Sequence, residues 1–388
     1  MDVRVYFLAV ASFVVGTVEL IIGGNLDLIA SDLNVSISMA GQLISVFSIA
    51  FAISAPVLFT ITSKLERKSL FLGSLFLFLA GNLLAALSPS YSVLFLARIV
   101  SAVSGSLVVV LAITIASQIV KKEYRARAIG LIYMGISGSL VLGVPIGMVL
   151  GNAYGWRAPF VLISVLTLVS MVFIYYQMPG IPAAEFVPLR SQLGTLKNRK
   201  IISAQLTSML FLTGHLTLYA YLTPFLQTLL HLSSTWITVV YFLFGIAAVL
   251  GGGIGGWVVD KWGATKSILV IISSFLFAIL LMPAVTSSFY VFLAVMMLWS
   301  MLSWAITPAQ QDYLISIAPE SSGIQQSLNN SAMHFGIAIG SSIGGLVIEK
   351  YSVEYNAWVG GVFVVIALLC AIYSITRPRL KNTANSGV

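Results

Sequence analysis

An all-α polytopic membrane protein, with twelve transmembrane helices in two pseudo-symmetric bundles of six, is the fold class this sequence predicts. Three observations point there. Hydrophobic residues make up 59% of the 388-residue chain and charged residues only 8%, whereas a soluble protein carries about a quarter charged residues. Apolar runs of about 20 residues, long enough to cross the hydrocarbon of a bilayer, recur twelve times. The small-residue pattern of the first half also reappears in the second.

The first run, 5–29, has no small-residue cleavage site and continues past the length of a signal-peptide core, so it is span 1 and not a removable segment. Charge clusters, prolines and polar turns delimit spans 2 to 6 at 40–62, 70–87, 91–119, 124–151 and 157–178. The stretch Pro179–Lys200 is the one long connection and holds Pro182, Pro188, Arg190, Lys197 and Arg199. It divides the chain into a first bundle (1–178), a linker (179–200) and a second bundle (201–388). Spans 7 to 12 follow at 201–229, 235–258, 266–287, 289–317, 322–348 and 355–376.

Orientation follows from lysine and arginine. Seventeen of the 20 lie in the termini and the loops on their side, against Arg157 and Lys350 on the other; the remaining one, Arg98, lies within span 4. That asymmetry predicts a multi-pass protein of the cell membrane with both termini cytoplasmic. It also accounts for the net charge of +8 without nucleic acid, since no basic stripe is interleaved with aromatics. Cys370 is the single cysteine, which excludes an intrachain disulfide or a cysteine metal cluster.

Span 5 carries Gly135, Ser139, Gly143, Gly147 and Gly151 at every fourth position, and span 11 carries Ala332, Gly336, Gly340 and Gly344, beginning 197 residues later. Such faces let helix backbones approach closely. A parallel repeat of two six-helix units is a transporter architecture. Pro145, between Gly143 and Gly147, removes a backbone donor and predicts a kink; whether this seam is static packing or a hinge, the spacing alone leaves open.

Polar groups at span depth are costly and by default functional. Glu19 lies roughly 15 Å and Arg98 roughly 10 Å below the end of their spans, so the two can be neighbours. An arginine favours the charged form of a carboxylate that burial would otherwise keep protonated. Proton coupling is one reading; a structural ion-pair anchor is the alternative for Arg98. Asp27 is either a solvated helix end or a second proton site. In the second half, His215, Asn329, Asn330 and His334 are deep polar groups, with Asn330 and His334 on one face. They are either interhelical hydrogen bonds or donors and acceptors for a flat heterocycle, with Tyr219, Tyr221, Trp299 and Trp304 as stacking faces. His215, His231 and His334 show no metal-ligand spacing and no phosphate-binding loop is present. The sequence therefore predicts no cofactor, no metal and no enzyme, and points to an ion gradient as the energy source.

These features resemble the major facilitator superfamily, and its twelve-span drug and metabolite proton antiporters in particular. Gly256, Asp260, Lys261, Gly263 and Lys266 match the superfamily's loop signature; the first-half counterpart, Thr62 to Lys68, keeps the basic residues without the glycine and aspartate. Arg98 with Gly105 is similar to the span-4 motif, and Gly143-Val144-Pro145-Ile146-Gly147 to the span-5 antiporter motif. At finer grain, Val18 to Ile21, Gly41 to Phe47, Tyr124 to Gly130, Gly214 to Tyr221 and Ser303 to Gln311 resemble bacterial purine base and nucleoside efflux pumps, while Asn25 and Asp27 depart from them. The acidic pair Glu19 and Asp27 with Arg98 is instead similar to certain multidrug antiporters. The resemblance implies a monomeric exporter exchanging protons for small polar heterocycles, with a multidrug or sugar exporter as the alternative.

Overall fold

The computed structural model describes residues 3–120, 125–183 and 193–377. Among these, twelve helices are long and apolar enough to cross a membrane: Val3–Gly24, Ile37–Ile61, Arg67–Ala86, Tyr91–Ala116, Leu131–Tyr154 and Ala158–Gln177 in the first half, then Arg199–Tyr219, Ser234–Trp262, Ala264–Val285, Phe289–Ile317, Ile324–Lys350 and Tyr355–Thr376. They are spans 1 to 12. Arg190 of the linker and the basic residues 121–122 lie outside the described residues.

Packing inside each half follows one scheme. Span 1 packs on spans 5 and 6, span 2 on 4, and span 3 on 4 and 6; in the same way span 7 packs on 11 and 12, span 8 on 10, and span 9 on 10 and 12. The halves meet along span 2 against span 11 and span 5 against span 8.

The small-residue faces explain the closest of these approaches. A side chain at Gly135 would collide with the Ala9 carbonyl, one at Gly143 with Thr17 and one at Gly147 with Ile21, so span 5 lies directly on span 1. Gly336, Gly340 and Gly344 sit against the carbonyls of Met209, Thr213 and Thr217 of span 7 in the same manner. The kink expected at Pro145 takes the form of a π segment, Ser139–Gly143, just before it. Proline cannot donate to the preceding turn, and the wider turn absorbs the gap. A side chain at Gly245 of span 8 would strike the Leu140 carbonyl, so the π segment faces the other half.

Two expected spans are corrected. The runs 5–29 and 201–229 are each broken: span 1 ends at Gly24 and a short helix Leu26–Asp32 follows, while span 7 ends at Tyr219 and is followed by Leu222–Leu230. The residues at the breaks have nearly the same backbone, φ −117°, ψ 22° at Asn25 and φ −119°, ψ 25° at Tyr221. Hydropathy averaged over a span carries across both breaks because apolar residues resume on either side. Asn25 compensates by donating from its side chain to the Ile21 carbonyl at 3.1 Å.

At the face bearing the termini, Glu66 caps span 3. Its carboxylate accepts from the backbone N–H of Lys68 (3.0 Å), Ser69 (2.7 Å) and, from beyond span 6, Ile181 (2.6 Å). Burial pushes this carboxyl up, but hydrogen bonds from Ser69, Ile181 and Lys68 outweigh it and hold it at about 2, below the usual 4.5. A depressed carboxyl contributes stability above its unfolded value and loses it as pH falls through the folded one. Glu66→Gln is expected to lower the melting temperature in detergent at pH 7 by roughly 1–2 °C, with the gap closing between pH 4.5 and 2. A gap unchanged down to pH 2 would show that the charge is not what holds this turn.

Candidate functional site

Arg98 is buried and spends its guanidinium on backbone. Nη1 donates to the Val18 carbonyl at 2.6 Å, Nε to Leu43 at 3.2 Å and Nη2 to Glu19 at 3.5 Å, while the group lies 4.2 Å over the Phe47 ring. It thereby ties spans 1, 2 and 4 together. Glu19 and Arg98 are neighbours, yet their charged groups form no direct ion pair. The Glu19 carboxylate turns across the seam instead, with Oε1 3.4 Å from Nδ1 of His334 on span 11. That separation is an electrostatic contact and not a directed hydrogen bond, as the imidazole Nδ1 has no hydrogen-bond partner. The His334 ring stacks on Phe51 of span 2 with centroids 4.1 Å apart. His334 thus belongs to the second half by chain and touches the first half on two sides.

Asp27 stands apart from this group, on the short helix after the span 1 break, where it accepts a 2.8 Å hydrogen bond from Gln227 on the matching helix after span 7. Beside it, Thr223 and Tyr241 both donate to the Gly23 carbonyl, at 3.0 and 3.3 Å. Tyr221 donates to the Ser341 carbonyl at 2.8 Å, and Ser45 meets Ser341 and Ser342 at 2.8 and 2.9 Å. Apart from the Tyr221 bond, which lies within the second half, these bonds join the halves and gather at the face opposite the termini, which is closed.

His215 and Tyr219 lie one turn apart on span 7 in a cluster of rings. The His215 ring is 5.4 Å from Tyr219, 4.9 Å from Trp299 of span 10 and 5.7 Å from Phe275 of span 9, and Tyr219 is 4.7 Å from Phe244 of span 8. Three buried polar atoms here, His215 Nδ1, Tyr219 Oη and Trp299 Nε1, have no hydrogen-bond partner. Each unsatisfied group costs about 1–3 kcal/mol, which sets this cluster apart from the apolar core around it.

Asn329 is placed elsewhere, donating to Gln205 Oε1 at 3.0 Å and Ser208 Oγ at 2.7 Å of span 7. Asn330 and Trp304 are partly buried, and Trp304 packs on the apolar core. In the signature loop Gly263 has φ +77°, a conformation glycine adopts without strain. Asp260 and Lys266 are exposed there, and Lys261 lies over Trp257 at 5.0 Å. Two hollows lie away from all these side chains, one of about 280 Å³ lined by Val141, Pro145 and Phe242 and one of about 610 Å³ lined by Leu58, Glu66 and Leu107.

Twelve spans, a twofold internal repeat and a charged group at the seam between the halves define a secondary-transporter scaffold. Residues 8–333 match the model of the Major Facilitator Superfamily. The chain is 37% identical over 95% of both chains to the uncharacterized MFS-type transporter YbcL of Bacillus subtilis (strain 168). Among solved structures it resembles a bacterial homolog of the human lysosomal transporter Spinster in an inward-facing, occupied conformation, with TM-score 0.77, 15% identity and coverage of 97% of this chain and 98% of that one. It also resembles a mutant form of the nucleoside transporter NupG, with TM-score 0.74, 14% identity and coverage of 96% and 99%. The chain belongs to the Major Facilitator Superfamily and is a multi-pass membrane transporter.

The sequence offers no signal for Phe244 or Phe275 as site residues, because each sits in an apolar run with nothing to set it apart; Gln227 does carry one, as a polar side chain in the apolar run Leu222–Leu230. The seam role of His334 could have been found by folding the repeat, since span 11 corresponds to span 5 and both flank the opposite half.

Proposed function

We propose that this transporter exports small polar heterocycles, purine bases or nucleosides, from the cytoplasm in exchange for protons, by rocking its two bundles about a site between them. The carrying observation is Glu19, a carboxylate at membrane depth standing at the seam between the halves beside a buried arginine. A charge placed there is unfavourable unless it is used, and its protonation changes what one half presents to the other. The His215, Tyr219 and Trp299 cluster supports the substrate class. Its unpartnered ring nitrogens and hydroxyl match the edge of a heterocycle, and its rings offer a stacking face. Asn329, bound to Gln205 and Ser208, orients span 11 in this reading without touching the ring. The protein acts as a monomer in the cell membrane with its termini cytoplasmic, and Asp27 serves the closed outer face.

The test is transport of a labelled purine panel and a lipophilic cation panel in proteoliposomes, with and without an imposed pH gradient. Purine export driven by the gradient is the expected result; transport of lipophilic cations alone would replace this reading with the multidrug one. Tyr219→Phe and Trp299→Phe each remove one unpartnered donor and are expected to slow labelled adenine transport about tenfold, with no loss of folded protein. Unchanged adenine transport in both would remove the cluster from the substrate path.

A further inference from the structure

We propose that His334 is a proton-coupling residue, forming with Glu19 a latch that closes the face opposite the termini when a proton arrives; the proposal rests on the proton-exchange reading above. The geometry carries it. His334 is a second-half residue held by first-half groups, the Glu19 carboxylate at 3.4 Å and the Phe51 ring stacked at 4.1 Å. Both contacts lie along the seam where span 11 meets span 2, so they exist only while the halves are together.

A neutral imidazole carries one proton; with it on Nε2, the Nδ1 lone pair faces the Glu19 carboxylate and has no hydrogen-bond partner. A proton arriving at Glu19 turns two acceptors set against each other into an O–H that donates to Nδ1, a bond strengthened by the low dielectric around it. The stack on Phe51 holds the imidazole in place to accept it. The new bond draws span 11 onto spans 1 and 2. Arg98, from span 4, is the opposing group: its positive charge beside Glu19 favours the ionised carboxylate, which sets the latch to release. Span 2 contributes Phe47 and Phe51 and no titratable side chain. On the remaining neighbours, His215 of span 7 stays within its ring cluster and Tyr313 of span 10 bonds Ser374.

The test reads the closed population without any substrate. In a Cys370→Ser background, nitroxide labels at Tyr154→Cys and Tyr290→Cys, both well exposed at 79% and 82% on opposite halves, report separation of that face in lipid nanodiscs by double electron–electron resonance. In the parent, the short-distance population is expected to rise about threefold or more between pH 8 and pH 5. His334→Gln, or His334→Asn where the first does not insert, is expected to leave it flat at the high-pH value, and Glu19→Gln to leave it flat as well. A merely structural histidine would lower the population equally at every pH and keep the slope, and that result overturns the proposal while the proton reading stands on a flat Glu19→Gln. A parent that shows no pH dependence overturns the proton reading and the latch together.

Discussion

Glu19→Gln is expected to abolish pH-gradient-driven export while leaving the protein inserted and folded. The substitution keeps the size and hydrogen-bonding capacity of the side chain and removes its ability to ionise, so packing against span 11 survives and the exchange of charge does not. Concentrative transport in proteoliposomes should fall to the level of empty vesicles, a loss of about a hundredfold or more for a group acting at an obligatory step. Facilitated movement down a substrate gradient should persist, because alternating access itself is intact. A variant that still concentrates substrate at the parental rate would show that the coupling proton binds elsewhere.

The second large effect is expected at the seam of spans 1 and 5. Gly143→Leu and Gly147→Leu place branched side chains into Thr17 and Ile21, which flank Glu19 on span 1. Leucine has no rotamer that clears a neighbouring helix at glycine distance, so span 1 must move away and carries Glu19 with it. Transport should drop more than tenfold, and less for Gly143→Ala, whose single methyl group displaces Thr17 and its bond to the Phe13 carbonyl but extends no further into span 1. Parental transport by both leucine variants would show that spans 1 and 5 do not stay packed during the cycle.

Both predictions use residues visible in the sequence, and the reasons for that visibility are physical. Lipid removes the need for surface charge, so every polar residue at depth stands out, and Glu19, Arg98, His215 and Asn329 are conspicuous on that ground. A long run of small residues at every fourth position lets helix backbones approach closely, and the faces of spans 5 and 11 meet spans 1 and 7 accordingly. Partners are not legible. Glu19 and Arg98 match in depth, but depth does not say which way a side chain turns, and the carboxylate faces His334. Asn329 and His334, five residues apart on one helix, point into different neighbours for the same reason. The breaks at Asn25 and Tyr221 are marked only locally, by Gly23-Gly24-Asn25 and by Pro224, and hydropathy, which averages over a turn, does not register them.

Those breaks have a thermal consequence. The helices that follow them are 7 and 9 residues long, below the roughly 12–15 residues at which an isolated helix holds its shape in water. Each takes part of its order from the other through Asp27 and Gln227 and through the bonds converging on Gly23, while Asp32 also ties the first to its own half by accepting from Trp156 and Arg157. Parting the halves therefore removes one hold on each segment, and the chain entropy released offsets part of the binding energy between the halves that opening gives up. Opening should become easier on warming, and backbone amides of residues 26–32 and 222–230 should exchange with deuterium together, at a common rate set by opening of that face and faster than those of the spans they extend. The two short helices would then be a single melting unit shared between the halves of the molecule, its order renewed at every closure.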